Sequence, residues 1–142
     1  DRYSYFGMVS GGIGWGIAAA IGVQLAQPHR RVVAVIGDGS SMYSPQALWT
    51  AAHLQLPITF VILNNRGYRI LKERLIAFHS DQRFIGMDFK DPPIDIAALS
   101  TALGTPGKQI NEPEEFITYF SESLKSTGPT LLEVMVEPGP SN

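Results

Sequence analysis

The chain has 142 residues, of which 44% are apolar and 17% are charged, a composition that predicts one globular domain with little disorder. Its net charge of -2, with no basic cluster, argues against a nucleic-acid partner. The absence of cysteine excludes disulfides, iron–sulfur ligation and a thiol nucleophile in this chain. We therefore expect small molecules or other proteins as partners and a cytoplasmic location.

The first predicted element is a buried helix in the apolar segment from Ile13 to Ala26. This segment is too short to span a membrane, is interrupted by glycines and lacks the features of a signal peptide. Gly14, Gly16 and Ala19 match a dinucleotide-binding G-x-G-x-x-A pattern by letter. The residues before them form a poor strand, so close helix packing explains these small residues better.

Strands and helices then alternate. Arg31–Gly37 and Pro57–Leu63 are short β-branched runs, typical of strands buried on both faces of a parallel sheet, and Thr130–Val136 is a weaker example. A helix is expected between the first two runs, with Ser44 as N-cap and Pro45 as its first residue. This βαβ order predicts an α/β fold with three layers, a mainly parallel sheet with helices on both faces.

The second half continues the pattern. We expect one helix after Tyr68, another over Asp95–Leu103, and a third from Asn111 to Ser126 with Asn111 as cap and Glu114 in the capping-box position. The segment Ser80–Pro93 is predicted to be a long loop, and such loops are often functional. Because neither repeats nor a linker are evident, residues 1–142 are interpreted as one domain.

Polar residues follow the first two strands. Asp38 comes directly after the first strand and Asn65 follows the second, and parallel strands that neighbour each other end at the same edge of a sheet. Carboxylate and amide oxygens suit magnesium or calcium, and magnesium completes its shell with water and phosphate oxygens. The backbone amides of Gly39 and Ser40 could receive the same phosphates. The site therefore predicts a diphosphate ligand with a bound metal.

Two alternatives exist for Asp38. The Gly-Asp-Gly triplet could be only a tight turn, although the placement of Asn65 speaks against this. Asp38 could also be a phosphoacceptor, as in flavodoxin-like signalling domains, but the required acidic pair and lysine are not evident. Ordinary surface or helix positions are expected for His29, His53 and His79, and core positions for Trp15 and Trp49.

The segment Gly37–Ser40, followed twenty-seven residues after its aspartate by the second residue of an Asn-Asn pair, resembles the GDG…NN motif of thiamine-diphosphate enzymes. The stretches MVSGGIGWGIAAAIGVQLAQP and SPQALWTAAHLQLP are similar to the C-terminal cofactor domain of benzoylformate decarboxylases. The resemblance covers essentially the whole chain. It implies the thiamine-diphosphate-binding fold, with thiamine diphosphate and Mg²⁺ as cofactors.

The resemblance also implies roles for individual residues. Magnesium would be held by Asp38, by the side chain of Asn65 and by the carbonyl of Gly67. The cofactor-binding residues would be Gly11, Gly12, Ile13, Gly37, Asp38, Gly39, Ser40, Asn65, Gly67, Tyr68 and Arg69. Among them, the Gly11 carbonyl would meet the aminopyrimidine, and Ile13 would support the bent conformation of the cofactor.

In this family a glutamate from a separate pyrimidine-binding domain starts catalysis, and no glutamate here matches it. The resemblance therefore implies a part of a longer enzyme, with that domain on another chain or in a missing segment, in a dimer or tetramer. The implied reaction is non-oxidative decarboxylation of a 2-oxo acid. An acetolactate-synthase-like carboligase is an alternative, as is a non-enzymatic phosphate- or nucleotide-binding regulatory module.

Substrate contacts are implied for Ile70, Leu71 and Arg74. Benzoylformate decarboxylases place aromatic residues at the positions held here by Gly7 and Arg74, so both apolar walls are absent. We therefore expect a smaller or acidic 2-oxo acid to be preferred over benzoylformate. The alternative is that Arg74 points to water and that residues of the missing domains close the pocket.

Overall fold

The computed structural model of the chain describes residues 4–7 and 10–138. In this part of the chain, four strands alternate with helices. The strands are β1 (Val32–Gly37), β2 (Ile58–Asn64), β3 (Gly107–Ile110) and β4 (Thr130–Met135). The helices are α1 (Gly16–Ala26), α2 (Asp38–Ser41), α3 (Ala47–His53), α4 (Arg69–His79), α5 (Ile96–Ala102) and α6 (Pro113–Ser123).

The four strands form one parallel sheet in the order β1-β2-β4-β3, and helices cover both of its faces. On one face, buried side chains of α1, α3 and α5 share a core with Ile36, Phe60 and Leu131. On the other face, the hydroxyl of Thr59 in β2 donates to Ser123 of α6. Because side chains alternate across a strand, Thr59 and Phe60 point to opposite faces. The predicted three-layer α/β fold is confirmed.

The expectation that β1 is buried on both faces is wrong: among the described residues, one of its faces is uncovered. Val33 and Val35 are 41% and 64% exposed, whereas Val61 beside Val35 in β2 is 4% exposed. β1 lies at the edge of the sheet, and α6 packs on β3 and β4 rather than on β1. A β-branched run therefore indicated a strand but did not reveal which face a helix would cover.

Two predicted helix caps are wrong. Ser44 does not cap α3, because its hydroxyl donates instead to the carbonyl of Gly14 at 2.8 Å. Asn111 and Glu114 do not form the capping box of α6, which is made one residue later by Glu112 and Glu115. Proline at the first position of α6 explains the later start, since its fixed φ suits that position.

The other expected elements can be compared directly. Helices α4 and α5 lie where they were predicted, and the side chain of Asp95 caps α5 by accepting from Ala98 N at 2.7 Å. The segment 80–93 has neither a helix nor a strand, apart from isolated bridges between Gly67 and Asp88 and between Lys90 and Pro93. Strand β3 was not predicted, because its sequence GKQI has no β-branched run.

Both tryptophans are at the surface, and so their expected core positions are wrong. Trp15 is 47% exposed and Trp49 is 55% exposed. Trp49 stacks on His53, with ring centroids 4.9 Å apart. His29, His53 and His79 are all exposed, as expected. Within residues 4–7 and 10–138, no helix has the length and apolar character needed to cross a membrane.

Candidate functional site

Two turns meet at the carboxyl edge of the sheet. Gly37 at the end of β1 lies beside Leu63 of β2 in the parallel register, so the two chains leave the sheet side by side. The backbone N–H of Gly67 then donates to Oδ2 of Asp38, with 2.9 Å between nitrogen and oxygen. The structure thus brings Asp38 into contact with the turn that contains Asn65, at the edge where ligands bind in open parallel sheets.

Asp38 is a buried carboxylate without a cationic partner among the residues that the structure describes. It is 2% exposed, and none of the ion pairs in that part of the chain involves it. Burial raises the pKa of Asp38 above its usual value, and hydrogen bonds from backbone N–H groups of neighbours such as Gly39 and Gly67 offset this only in part. A bound cation would compensate for the buried negative charge.

Asn65 supplies a second, independent observation about the donors at this site. Its Oδ1 atom is buried and has no hydrogen-bond partner among the described residues. A buried acceptor left in this state costs about 1–3 kcal/mol, so such atoms are rare unless a ligand, ion or water satisfies them. A side-chain amide oxygen, on a turn whose Gly67 N–H contacts the buried Asp38 carboxylate, completes a set of hard oxygen donors that suits magnesium. The residues present therefore fit a magnesium ion.

The donor set would consist of oxygens from different chemical groups. The described residues contain no cluster of three or more His, Cys, Asp or Glu side chains that could hold a metal. A metal at Asp38 would thus need the amide of Asn65, a backbone carbonyl such as that of Gly67, and oxygens from its ligand. This composition matches a magnesium ion that keeps phosphate oxygens in its shell.

Close approach explains two of the predicted glycines. A Cβ atom on Gly39 would lie 2.6 Å from the ring of Tyr68, and one on Gly67 would lie 2.4 Å from the carbonyl oxygen of Met87. Neither position can accept a side chain without moving its neighbour. The two turns are therefore packed directly against each other and against the loop that contains Met87.

Tyr68 connects the turn after β2 to that loop. Its ring lies over Gly39 and makes an edge-to-face contact with Phe89, with centroids 4.9 Å apart. Partial burial and then the neighbouring Tyr43 raise the pKa of the Tyr68 phenol above its usual value of 10.0. Tyr68 thus lies beside Gly39, which follows Asp38, and its role in lining a diphosphate stays a prediction.

Sequence reasoning missed the contribution of Gly14, which it attributed to helix packing. Gly14 has a φ of +96°, and a Cβ there would lie 2.4 Å from Cβ of Tyr43. Its N–H donates to Oγ of Ser40 at 2.9 Å, and its carbonyl accepts from Ser44 at 2.8 Å. Gly14 therefore ties the segment of Gly11 to the turn after β1. The signal in the sequence was the run of closely spaced glycines before α1.

A cleft of about 760 Å³ brings together predicted residues from distant parts of the chain. It runs along β1 and is also lined by residues from the segment before α1. The predicted residues that line it are Gly11, Ile13, Gly37, Ser40 and Ile70. Gly11 has a φ of +69°, a conformation that favours glycine. The adjacent Gly12 is exposed.

Several other predicted residues lie away from the lining of this cleft. Arg69 is exposed and pairs with Glu73 at 2.8 Å. Leu71 is 38% exposed, and Arg74 is exposed with its guanidinium 5.7 Å from the ring centroid of Phe78. In the part of the chain that the structure describes, Ile70 is therefore the one predicted substrate contact that reaches the cleft.

The fold and the two turns define a parallel α/β domain with a polar site at the carboxyl edge of its sheet. Residues 2–134 match the model of the family "Thiamine pyrophosphate enzyme, C-terminal TPP binding domain". The chain belongs to this family, whose cofactor, thiamine pyrophosphate, is thiamine diphosphate. The resemblance found in the GDG…NN residues is thereby confirmed.

Individual relatives include two kinds of enzyme. The chain is 37% identical to benzoylformate decarboxylase of Pseudomonas aeruginosa over 131 residues, covering 92% of the chain and 24% of that protein. It is 33% identical to an acetolactate synthase large subunit of Parasynechococcus marenigrum, covering 93% of the chain and 23% of that protein. The chain spans about a quarter of the length of the relatives that it matches.

A solved structure shows the same fold. The chain superposes on the thiamine diphosphate-dependent 4-hydroxybenzoylformate decarboxylase of Rhodococcus jostii with a TM-score of 0.85 and 39% identity. The match covers 91% of the chain and 24% of that protein.

Proposed function

We propose that the chain forms the diphosphate and metal site of a thiamine-diphosphate-dependent 2-oxo acid decarboxylase. The observation that carries the proposal is the unpartnered, buried Oδ1 of Asn65, which belongs to the same turn as the Gly67 N–H that binds the buried Asp38. A magnesium ion would satisfy the amide oxygen and neutralise the carboxylate together.

Each residue then has a task that its position supports. Asp38, Asn65 and the carbonyl of Gly67 would hold Mg²⁺, and the backbone amides that follow Asp38 would receive the diphosphate. The bound cofactor supplies the electron sink that allows a 2-oxo acid to lose carbon dioxide. Ile13 and Ile70 would give the cleft its apolar contacts, since both line it.

We place decarboxylation before carboligation because two aryl-substituted 2-oxo acid decarboxylases are 37% and 39% identical to the chain. Identity alone does not separate the two reactions, since the acetolactate synthase subunit is 33% identical and a third decarboxylase, from Polynucleobacter necessarius, is 28% identical. Acetolactate synthesis is thus the second candidate. Product analysis of the full-length protein with pyruvate and benzoylformate separates the two, because a carboligase joins two substrate molecules while a decarboxylase releases an aldehyde.

The proposed enzyme also needs parts outside this chain. In the described ranges, no glutamate lines the cleft, so a glutamate on a pyrimidine-binding domain would start the reaction. That domain would belong to another chain or to another segment of a longer protein, in a cytoplasmic dimer or tetramer. The chain assayed alone with thiamine diphosphate and Mg²⁺ should therefore show no appreciable turnover. Turnover of roughly 1–1000 per second would refute this requirement.

Calorimetry tests the metal assignment. In the full-length protein, thiamine diphosphate should bind in the presence of Mg²⁺ and lose most of its affinity after chelation, and ATP, NAD and FMN should not compete. Asp38→Ala should abolish the Mg²⁺-dependent part of binding. Asp81→Ala is the matched control, because Asp81 is a half-buried carboxylate that pairs with the exposed Arg83 in the loop. Undiminished affinity in Asp38→Ala, or preferential binding of a nucleotide, would refute the assignment.

A further inference from the structure

A second buried carboxylate lies next to Asn64, at the start of the turn of residues 64–67, which we call the metal turn. Glu133 of β4 is 0% exposed and lies beside Ile62 in the register of the sheet. Both of its oxygens accept hydrogen bonds: Oε1 accepts from Nδ2 of Asn64 at 2.5 Å and Oε2 accepts from the backbone N–H of Ala97 at 2.9 Å. Both oxygens of the buried Glu133 side chain are thus satisfied within the protein.

The carboxylate determines which way the Asn64 amide points. Because Glu133 Oε1 accepts from Asn64, the NH₂ group of Asn64 faces Glu133 and Oδ1 faces away. This oxygen accepts from the backbone N–H of Arg66 at 2.8 Å. Arg66 has a φ of +63°, which is uncommon for a residue other than glycine. The hydrogen bond that Asn64 Oδ1 accepts from Arg66 N–H therefore stabilises an otherwise unfavourable turn.

The same turn presents the proposed metal ligands. Asn65 lies between Asn64 and Arg66, and Gly67 follows Arg66 and donates to Asp38. The conformation of Arg66 consequently decides where the Asn65 amide oxygen and the Gly67 backbone lie relative to Asp38. A continuous path of hydrogen bonds thus runs from Glu133 through Asn64 to the metal turn.

We propose that Glu133 is a positioning residue that orients the Asn64 amide and thereby holds the turn of residues 64–67 in its metal-binding conformation. This inference rests on the proposed function of that turn. It assigns to β4, a strand with no residue in the cleft, an effect on Mg²⁺-dependent cofactor binding.

The variant Glu133→Gln tests the orientation argument because it preserves shape and changes one acceptor into a donor. If its oxygen faces Ala97 N–H, its NH₂ group faces Asn64, whose amide must rotate and direct NH₂ at the N–H of Arg66. If its oxygen faces Asn64 instead, two donors meet at Ala97. Each arrangement loses one hydrogen bond: the first loses the bond of Arg66 N–H that stabilises the turn, and the second loses the bond of Ala97 N–H.

The double variant Asn64→Asp with Glu133→Gln restores every bond. An aspartate at position 64 accepts both from the glutamine NH₂ and from Arg66 N–H, while the glutamine oxygen accepts from Ala97 N–H. The buried network keeps one negative charge. Asn64→Asp alone instead places two carboxylates against each other, and of the three variants it should bind the cofactor most weakly. This swap separates orientation of the amide from a general loss of charge or packing.

The hydrogen-exchange rate of the Arg66 amide in the metal-free, full-length protein reports whether the turn keeps its hydrogen bond to Asn64 in the absence of cofactor. Exchange should be about tenfold faster in Glu133→Gln and return to within about threefold of wild type in the double variant. Unchanged exchange in both Glu133→Gln and Glu133→Leu, which offers the Asn64 amide no acceptor, would overturn the inference and leave the proposed function intact. Should that variant not fold, Glu133→Asp, which keeps the charge but withdraws it from Asn64, is measured in the same way.

Calorimetry with Mg²⁺ and thiamine diphosphate supplies the second measurement. Glu133→Gln should bind the cofactor about tenfold more weakly at fixed Mg²⁺, and the double variant should recover. If Glu133→Gln and Glu133→Leu both unfold more easily but bind the cofactor with wild-type affinity, Glu133 is only a structural residue and the inference is overturned. Absence of Mg²⁺-dependent binding in the wild type would instead refute the proposed function itself.

Discussion

Substitution of Gly67 by alanine should damage both stability and cofactor binding. The added Cβ would lie 2.4 Å from the carbonyl oxygen of Met87, about 1 Å short of van der Waals contact. That oxygen accepts from Tyr68 N at 2.9 Å, and Phe89 N donates to Arg66 O at 2.9 Å in the same bridge. The contact is with backbone, so it cannot be relieved by rotating a side chain.

The magnitude follows from the two ways in which the protein can respond. If the bridge between Gly67 and Asp88 stays closed, overpacking destabilises the fold by about 1–3 kcal/mol. If the bridge opens, two backbone hydrogen bonds are lost, at about 0.5–1.5 kcal/mol each, so the total is again about 1–3 kcal/mol. In either case the Gly67 N–H moves relative to Asp38, and Mg²⁺-dependent binding should weaken.

Gly22→Ala is the matched control. Gly22 lies in α1, is exposed, and has no atom within 4 Å of the position of an added Cβ. Alanine there should stabilise the helix by about 0.5–1 kcal/mol and leave thiamine diphosphate binding unchanged. Urea unfolding and calorimetry of the two variants make the comparison. If Gly67→Ala were as stable as Gly22→Ala and bound the cofactor equally well, the packing argument would be refuted.

Three further predictions concern charge. Burial raises the pKa of Asp38, so its contribution to the stability of the metal-free protein is fully present below about pH 3.8 and is lost as pH rises through the raised value. Asp38→Asn should therefore stabilise the metal-free protein at pH 7 by about 0.5–2 kcal/mol in thermal unfolding. The same variant should no longer be stabilised by Mg²⁺ and cofactor. A variant that is less stable than wild type without metal would contradict this prediction. The buried Lys72 donates to Asp88 at 2.7 Å and lowers the pKa of that carboxyl, which adds stability that is present above about pH 3.8 and is lost as pH falls through the lowered value. Lys72→Met should remove this dependence and destabilise the protein by about 1–2 kcal/mol, as urea unfolding at pH 3 and 7 would show; an unaltered pH profile would exclude the pair as its source. For the substrate, we expect full-length wild type to prefer pyruvate or 2-oxoglutarate to benzoylformate, and Arg74→Phe to raise kcat/KM for benzoylformate. A wild type that favours benzoylformate a hundredfold, a margin of about 2.7 kcal/mol, would show that this position does not determine substrate choice.

Much of the fold could be predicted because the local sequence patterns match the strands and helices that the sheet contains. The β-branched runs of β1, β2 and β4 are rare outside strands, and a helix between parallel strands returns the chain to the same edge. This return is why Asp38 and the turn of Asn65 were expected to meet, and they do. Strand β3 could not be found in this way, because GKQI becomes a strand only by pairing with β4.

The sequence by itself determined which residues end the first two strands, and with them the chemistry that this edge of the sheet can offer. Only the tertiary structure decided how that edge is held together. Hydrogen bonds that link Gly14 to Ser40, and Glu133 to Asn64, join residues that are 26 and 69 positions apart. No periodicity or local propensity reports such pairs, since each partner is an ordinary glycine, serine or polar strand residue until the sheet brings them within 3 Å.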